Sequence, residues 1–435
     1  MILTGIWKLE MPHRSKGFRH IYPVYSMATH VIYVSIPLFL TMNLPQLLKT
    51  DLGEALETLS KILYCVPLMT KLFSYQSESS KKLLSKAIKD ETRLLQSGDR
   101  TVVNIYADHV FFCNLLNKFL WISAAGAGSL LCEIGIVGSY KYHKLNIESN
   151  ETLPKPLPLP FWYPFDENKY HICVLFEQLF VIVWCGLSVA AVQIFSNSMM
   201  IYMRGQLKIL QNYFRNHHKY LSVNVVGNGG SLNTLKLLCV KHQYLIRYIN
   251  NVNGVFRSIV LIEYSISSVM LATSLLQVIA GHNVTYNATH ISVITSQLLL
   301  LAWSSDEIVV QVRLSHFHTS LELSSALYES KWYECERGSR ILIGIMLMRC
   351  QKPLSIDIGS FGPMRIKSAM SVSIEATHVL FDIYFKSTFM TFIFEKLVKE
   401  QINLLKRIYC TKQKKAIFQK RDLLTISFLF DESSK

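Results

Sequence analysis

The chain contains a series of apolar runs, each roughly 20 residues long, and its charged residues gather in the segments between them. A run of this length crosses the hydrocarbon core of a bilayer as one helix, and a helix leaves no backbone polar group unpaired in lipid. Charged residues make up 17% of the 435 residues, against about 25% in soluble domains. The sequence therefore predicts an all-α membrane protein.

Seven transmembrane helices are predicted. The first six approximate spans are residues 24–44, 55–75, 119–140, 172–200, 258–280 and 291–310. The second span carries Glu57, Lys61 and Lys71, and charged side chains are costly inside a bilayer. Neighbouring helices are therefore expected to shield this span from lipid.

The seventh segment is expected to be split. Its short first run, Ile341–Met348, is followed by Pro353, Gly359 and Pro363, which interrupt a continuous helix. Its second run, residues 363–384, contains two carboxylates, so we expect it to line water inside an assembly rather than to face lipid.

The distribution of lysine and arginine predicts the orientation, because cytoplasmic loops are enriched in both. The N-terminal segment and the loops on its side hold 25 of these residues, and the opposite loops hold five. Three Asn-x-Thr sequons, at Asn150, Asn283 and Asn287, lie on the side with few basic residues and are candidate glycosylation sites. With seven spans, the N-terminus is expected to be cytoplasmic and the C-terminus extracellular.

Several function classes are disfavoured by the same sequence. The net charge of +15 does not indicate nucleic-acid binding, because the basic residues follow the loops and form no single stripe. Nine cysteines show no metal-ligand spacing, and the pairs His217–His218 and His316/His318 are interpreted as solvated loop residues. No nucleophile–base pair or metal cluster is evident, so neither an enzyme nor a metal or cofactor is predicted. The N-terminus has no apolar h-region, so no cleaved signal peptide is expected.

Three stretches carry a resemblance. The block Ala326–Val372 contains Tyr-Glu-Ser-Lys-Trp-Tyr at Tyr328–Tyr333, then Gln-Lys-Pro-Leu at Gln351–Leu354, then Gly-Ser-Phe-Gly-Pro-Met at Gly359–Met364. The proline-rich stretch Leu157–Tyr170 leads into the fourth span, and a weaker match, QYLIRYINNVNGVF, follows His242. With these motifs the chain resembles the insect odorant receptor family.

The resemblance implies an odorant-gated, nonselective cation channel in the plasma membrane of olfactory sensory neurons. The loop between spans four and five lacks the long insertion of the family's shared co-receptor, so the chain resembles a tuning subunit that joins the co-receptor in a hetero-tetramer. Residues 311–352 would then form a cytosolic anchor, and the second half of segment seven would line the pore. The alternatives are a non-conducting seven-span receptor, a transporter-like protein, or a variant that is non-functional because its C-terminus diverges. Transporters typically show paired broken helices, and here only the last segment is broken.

The resemblance also implies an odorant pocket in the outer halves of helices two, three, four and six. Volatile ligands gain affinity mainly from apolar burial, about 25 cal/mol per Å². Depth along the spans selects Leu63, Tyr64, Gly128, Ile134, Ile136, Phe176, Phe180, Ile294 and Gln297. Ordinary helix packing is the competing interpretation for each. Glu133, a carboxylate inside a span, is expected either to recognise a polar odorant group or to be protonated and packed.

A pore-facing stripe is predicted in segment seven. Ile374, Thr377 and Phe381 share one helix face, which suits a hydrophobic constriction that gates by dewetting. Packing of this face against helices five and six is the alternative.

The chain departs from the family pattern after Val372. The expected receptor domain is residues 1–385, and residues 386–435 form a basic tail with eleven Lys and Arg against five Asp and Glu. Two interpretations compete: an extension whose amphipathic part, Phe389–Ile408, lies on the membrane, or misread coding sequence in place of the true last exon. The second is favoured, because the departure falls inside the pore helix.

Overall fold

A computed structural model describes residues 4–5, 16–149, 157–217, 230–281, 283–310, 322–330, 332–352, 354–368 and 371. Over these ranges the secondary structure is helical and no β-strand occurs. Seven long helices are α1 Lys16–Thr50, α2 Leu52–Tyr75, α3 Glu78–Gln96, α4 Arg100–Ser149, α5 His171–Arg215, α6 Gly230–Ile279 and α7 Val284–Val310. Three short elements follow: α8 Glu322–Tyr328, a 3-10 turn Trp332–Glu334 and α9 Arg337–Cys350.

Each of the first six predicted spans lies within one of these helices, apart from Ala280 just after the end of α6. Side chains fix where the helices begin. Asp51 accepts hydrogen bonds from the backbone N–H groups of Gly53 and Glu54 at 2.8 and 3.2 Å, and so caps α2. Ser77 caps α3 in the same way.

Four helices in the described ranges are long and apolar enough to cross a membrane. They contain the stretches His20–Thr50, Arg100–Tyr142, His171–Arg215 and Leu232–Ile279. Helices α2 and α7 are not among these four, and their polar side chains Glu57, Lys71, Asn287 and Gln297 are buried against neighbouring helices. The shielding expected for the charged second span is therefore present at Glu57 and Lys71.

The region between the second and third predicted spans is helical, which the sequence analysis did not anticipate. Helix α3 buries Leu83, Ala87 and Leu94, which recur at helical spacing, and turns its lysines outward. Helix α4 then runs for 50 residues, about 75 Å at 1.5 Å per residue, whereas a hydrocarbon core is about 30 Å thick. Helix α4 is therefore more than twice as long as a hydrocarbon core is thick.

The predicted break in segment seven is a tight turn that docks on α6. Helix α9 ends at Cys350, and the backbone of Asp357 pairs with that of Pro363. Asn253 of α6 exchanges two hydrogen bonds of 2.9 Å with Asp357, through its carboxylate and its backbone N–H. Gly359 has φ +52° and packs against Leu261, so a side chain there would be both strained and crowded.

The short helical stretch at residues 366–368 follows this turn. The predicted pore residues Ile374, Thr377 and Phe381, like the tail 386–435, lie outside the described residues.

Candidate functional site

A cavity of about 150 Å³ lies where α1, α2, α4, α5 and α7 meet. We call it the outer cavity, because it lies towards the end of the bundle that carries the sequons. Its apolar walls include Ile36, Leu40, Cys65, Leu131, Val181, Ile182, Val189 and Val293. Ala124 and Gly128 of α4 face Gly186 and Ile182 of α5, and these small residues leave the space that larger side chains would fill.

Residues 157–165, which precede α5, contribute Leu159 to the wall of the outer cavity. We call residues 157–165 the outer strap. Gln178 of α5, fully buried, binds both the backbone N–H and the carbonyl of Leu159, at 2.9 and 2.8 Å. Asn43 of α1 donates to the Pro160 carbonyl at 3.1 Å. The buried side chain of Phe161 packs with Leu40 and Ile182, so the strap forms part of the wall.

The strap approaches α4 closely at one point. A Cβ added to Gly135 would lie 2.5 Å from Pro158 Cγ, a distance that real Cβ atoms do not adopt. Glycine at this position therefore allows the strap to reach its place against the helix.

One end of the outer cavity is polar. Lys61 Nζ lies 2.9 Å from Glu57 Oε1 and donates to the Pro158 carbonyl of the strap at 3.3 Å. Glu57 Oε2 in turn accepts a hydrogen bond of 2.8 Å from Asn283. Tyr286 and His290 of α7 stack with ring centroids 5.8 Å apart, and both line the cavity.

A second, smaller cavity of about 30 Å³ lies deeper in the bundle, and we call it the ion-pair cavity. Lys71 of α2 and Glu263 of α6 form a salt bridge of 2.5 Å there, with 2% and 5% of their side-chain surfaces exposed. Gln193 of α5 donates to Glu263 Oε1 at 2.8 Å. Two opposite charges removed from water need such partners, because an unpaired buried charge is strongly destabilising.

The two cavities share Tyr64 and Gln297. The hydroxyl of Tyr64 is hydrogen-bonded to Gln297, and Gln193 Nε2 donates to Gln297 Oε1 at 3.4 Å. A polar chain therefore runs from the wall of the outer cavity through Gln193 to Glu263.

The structure brings only some of the predicted pocket residues together. Tyr64, Gly128 and Gln297 line the outer cavity, and Ile294 lines the ion-pair cavity. The other six predicted residues line neither: Leu63, Glu133, Ile134, Ile136, Phe176 and Phe180. The last five of these are exposed on the outer surface of the chain.

Helix rotation explains these placements. The cavity residues of α4 are Ala124, Ala127, Gly128, Leu130 and Leu131, which share one broad face at 3.6 residues per turn. Ile136 lies five residues after Leu131, and Phe176 lies five residues before Val181 of α5, so each is turned about 140° away from that cavity residue. These residues were selected by depth along a span, and rotation of each helix decides which side chains line the cavity.

The asparagine side chains of the two sequons at the start of α7 form hydrogen bonds within the protein. Asn283 uses its amide nitrogen to bind Glu57. Asn287 is 1% exposed, and its amide nitrogen donates to the Asn283 carbonyl at 3.3 Å. Asn150 lies outside the described residues, so glycosylation there stays a prediction.

The histidine pairs need one correction. His217 is buried rather than solvated, with Nδ1 3.1 Å from the Phe214 carbonyl and Nε2 3.9 Å from Cys335 Sγ. His218, His316 and His318 fall in undescribed ranges. Within the described part of the chain, no group of three His, Cys, Asp or Glu side chains is arranged to hold a metal ion.

Comparison with known proteins adds three findings. A family profile described as 7tm Odorant receptor matches residues 51–373. Odorant receptor 10 of Aedes albopictus is 22% identical over 51% of this chain and 56% of its own length, and Odorant receptor 63a of Drosophila melanogaster is 25% identical over 50% and 51%. The chain thus spans about half the length of these curated relatives.

The structure of the insect olfactory receptor OR5 from Machilis hrabei is similar, with a TM-score of 0.66 and 16% identity over 88% of this chain and 95% of that one. The same receptor in complex with eugenol gives a TM-score of 0.66 and 17% identity. At this level of identity the likeness establishes the fold, an all-α bundle with seven transmembrane segments.

Proposed function

Since the chain belongs to the odorant receptor family of insects, we propose that it is the odorant-binding subunit of a ligand-gated, nonselective cation channel. The observation that carries this proposal is the outer cavity: a mainly apolar space of about 150 Å³ between five helices of a membrane bundle. Ligand sites are typically such concave apolar spaces with a few convergent polar groups.

Odorant binding is the first part of the proposal. The solved receptor from Machilis hrabei binds eugenol, a small aromatic ligand, and shares the fold of this chain. Burial of a small apolar molecule in the outer cavity supplies about 25 cal/mol for each Å² of apolar surface removed from water. Tyr64, Gly128 and Gln297 are the predicted contacts that line the cavity.

Gating is the second part. The polar chain ends at Glu263 on α6, and the same helix holds the turn in front of the last segment. Arg257, six residues before Glu263, binds that turn twice: its carbonyl accepts from the Gly359 N–H at 3.2 Å, and its Nε donates to the Gly359 carbonyl. A shift of α6 that follows ligand binding would therefore reach the start of the final helix. Ile374, Thr377 and Phe381 are the proposed pore residues.

Assembly and location are the third part. The helices fit a multi-pass membrane protein, and we place it in the plasma membrane of olfactory sensory neurons as a partner of the shared odorant receptor co-receptor in a hetero-tetramer. The family relationship supports this assignment. The proposed function involves no cofactor and no nucleic acid.

The test is co-expression with an insect co-receptor and recording of currents across an odorant panel. Odorant-dependent, cation-nonselective currents that require both subunits are expected. Surface staining of a tagged chain provides the control for delivery. A silent chain that reaches the surface would instead favour a non-conducting receptor, the alternative suggested by the departure from the family pattern after Val372.

A further inference from the structure

We infer that the outer cavity selects small, neutral odorants carrying an oxygen that accepts a hydrogen bond from Lys61. The inference rests on the proposed odorant-binding function and names the ligand class for the same cavity. Lys61 contributes an ammonium group to a wall that is otherwise mainly apolar. An oxygen-bearing ligand therefore meets a charged donor where a hydrocarbon finds nothing to bind.

The hydrogen bonds of Lys61 leave it one donor. An ammonium group carries three N–H bonds. Glu57 Oε1 at 2.9 Å and the Pro158 carbonyl at 3.3 Å account for two of them. Among the described residues the remaining contact is with the ring of Tyr286, whose centroid lies 5.6 Å from Nζ. A ligand oxygen at hydrogen-bonding distance would use the third N–H more strongly than this distant ring does.

Three other polar side chains of the cavity already have hydrogen-bond partners. Tyr64 and Gln297 are bonded to each other, and Gln297 also accepts from Gln193. His290 Nδ1 lies 3.0 Å from Ser274 Oγ. Lys61 is the charged side chain in the lining of the cavity, and it keeps one N–H for a ligand.

The charge next to Lys61 favours neutral ligands over acids. Lys61 and Glu57 form a nearly buried pair, with 12% and 11% of their side-chain surfaces exposed. Asn283 holds the second oxygen of Glu57 at 2.8 Å, so this carboxylate is fixed beside the ammonium. A ligand carboxylate on Lys61 would lie close to the carboxylate of Glu57, and like charges in one site oppose each other. Ketones, esters and ethers carry an oxygen that accepts a hydrogen bond but have no negative charge.

Cavity size limits the carbon skeleton. An apolar cavity of about 150 Å³ in another protein holds benzene, and the outer cavity has about the same volume. Ligands of roughly six to eight non-hydrogen atoms are therefore the expected class.

Three matched probes test the inference on the purified full chain in lipid nanodiscs. They are methyl butyl ketone, the alkene in which a methylene group replaces its carbonyl oxygen, and pentanoate. Affinity is measured from the rise in unfolding temperature with ligand concentration. The ketone is expected to bind on the order of tenfold more tightly than the alkene, as one hydrogen bond to a charged group would give, and pentanoate is expected to bind most weakly.

The outcomes separate this inference from the proposed function. Equal affinity for ketone and alkene would overturn the inference and leave odorant binding in the cavity intact. Tightest binding of pentanoate would also overturn it. If none of the three probes changes the unfolding temperature, the cavity is not an odorant site, and both proposals fail there.

A double variant tests Lys61 itself. Glu57→Gln with Lys61→Met removes the ammonium without leaving its carboxylate partner uncompensated. The preference for the ketone should disappear while the alkene binds as before. Lys49→Met, at an exposed lysine near the end of α1, is the matched control and should keep the preference. If the double variant still prefers the ketone to the alkene, the role of Lys61 is overturned. If the double variant does not fold, the comparison of the three probes on the wild-type chain decides the inference.

Discussion

The outer cavity and the ion-pair cavity lie side by side and share Tyr64 and Gln297, yet their chemistry is different. Aliphatic and small side chains form most of the outer cavity, and its polar groups gather at one end. The ion-pair cavity is five times smaller, about 30 against 150 Å³, and encloses Lys71 and Glu263. One region offers space, and the other holds a fixed pair of charges.

This difference separates two tasks. Apolar walls are non-directional, so ligands of varied shape can occupy the outer cavity at modest differences in free energy. The buried salt bridge is directional, and it ties α2 to α6 at one geometry. The proposed receptor function uses both features. The outer cavity would bind ligands of varied shape, and the contact between α2 and α6 would change its geometry when a ligand is bound.

The largest expected effect is at the ion pair. Glu263→Gln leaves the Lys71 ammonium buried without its counter-charge, which costs about 3–5 kcal/mol of folding stability. The expected result is loss of the folded chain, measured as a lower unfolding temperature in nanodiscs and as reduced surface delivery.

Two controls sharpen this prediction. Lys81→Met removes a salt bridge to Glu78, whose side chain is 74% exposed, so we expect a change below about 1 kcal/mol. Replacing both Lys71 and Glu263 by methionine should restore much of the stability, since no charge is left unpaired. If Glu263→Gln were as stable as Lys81→Met, the ion pair would not be what fixes α2 to α6.

The next largest effect is expected at the contact between the outer strap and α4. Gly135→Ala places a Cβ 2.5 Å from Pro158 Cγ, and overpacking of this kind costs about 1–3 kcal/mol. The strap should be displaced, so we expect weaker odorant binding in titrations of ligand-dependent unfolding temperature.

Gly126→Ala on the same helix is the matched control, because no atom outside its own helical turn lies within 4 Å of the added Cβ. It should retain affinity, and helix propensity should even favour it. An equal loss of odorant affinity in both variants would mean that the substitutions act through α4 itself rather than through the strap.

The fold was largely predictable from the sequence. Long apolar runs mark spans because a bilayer demands them, and Pro353, Gly359 and Pro363 marked the break that the structure shows as a turn on α6. Helix α3 was missed, although the spacing of Leu83, Ala87 and Leu94 carries its amphipathic signal.

The site was predictable only in part, for a physical reason. Hydropathy fixes how deep a residue lies, but rotation of a helix about its own axis is set by the neighbours on which it packs. Phe176 and Phe180 were selected by depth, and they point outward, 70% and 57% exposed. Lys61 was interpreted as a charge to be shielded, because nothing in its local sequence shows that a cavity adjoins it. Gln297 was selected by depth like the others, and it lies on the face of α7 that lines both cavities.

The importance of the helix face over depth can be measured directly. Leu131→Ala removes a side chain that lines the outer cavity, whereas Ile134→Ala removes one that is 43% exposed on the outer surface of α4. We expect the first change to weaken odorant binding by about 1–2 kcal/mol, roughly tenfold, and the second to leave it within about twofold. Equal losses would mean that ligands approach α4 from its outer face, and the predicted residues Ile134 and Ile136 would then regain their role.

The smallest effect is expected where the two cavities meet. Gln297→Leu removes the hydrogen bonds with Tyr64 and Gln193, and neutral bonds contribute about 0.5–1.5 kcal/mol each. Because leucine keeps the apolar volume, odorant affinity of the purified chain should change little. The agonist-evoked current of the co-expressed channel should fall, since Glu263 is then disconnected from the outer cavity. Gln277→Leu, a second buried glutamine that lines neither cavity, is the control for the loss of an amide. Unchanged currents in Gln297→Leu would show that the polar chain does not carry the signal and that the two cavities act independently.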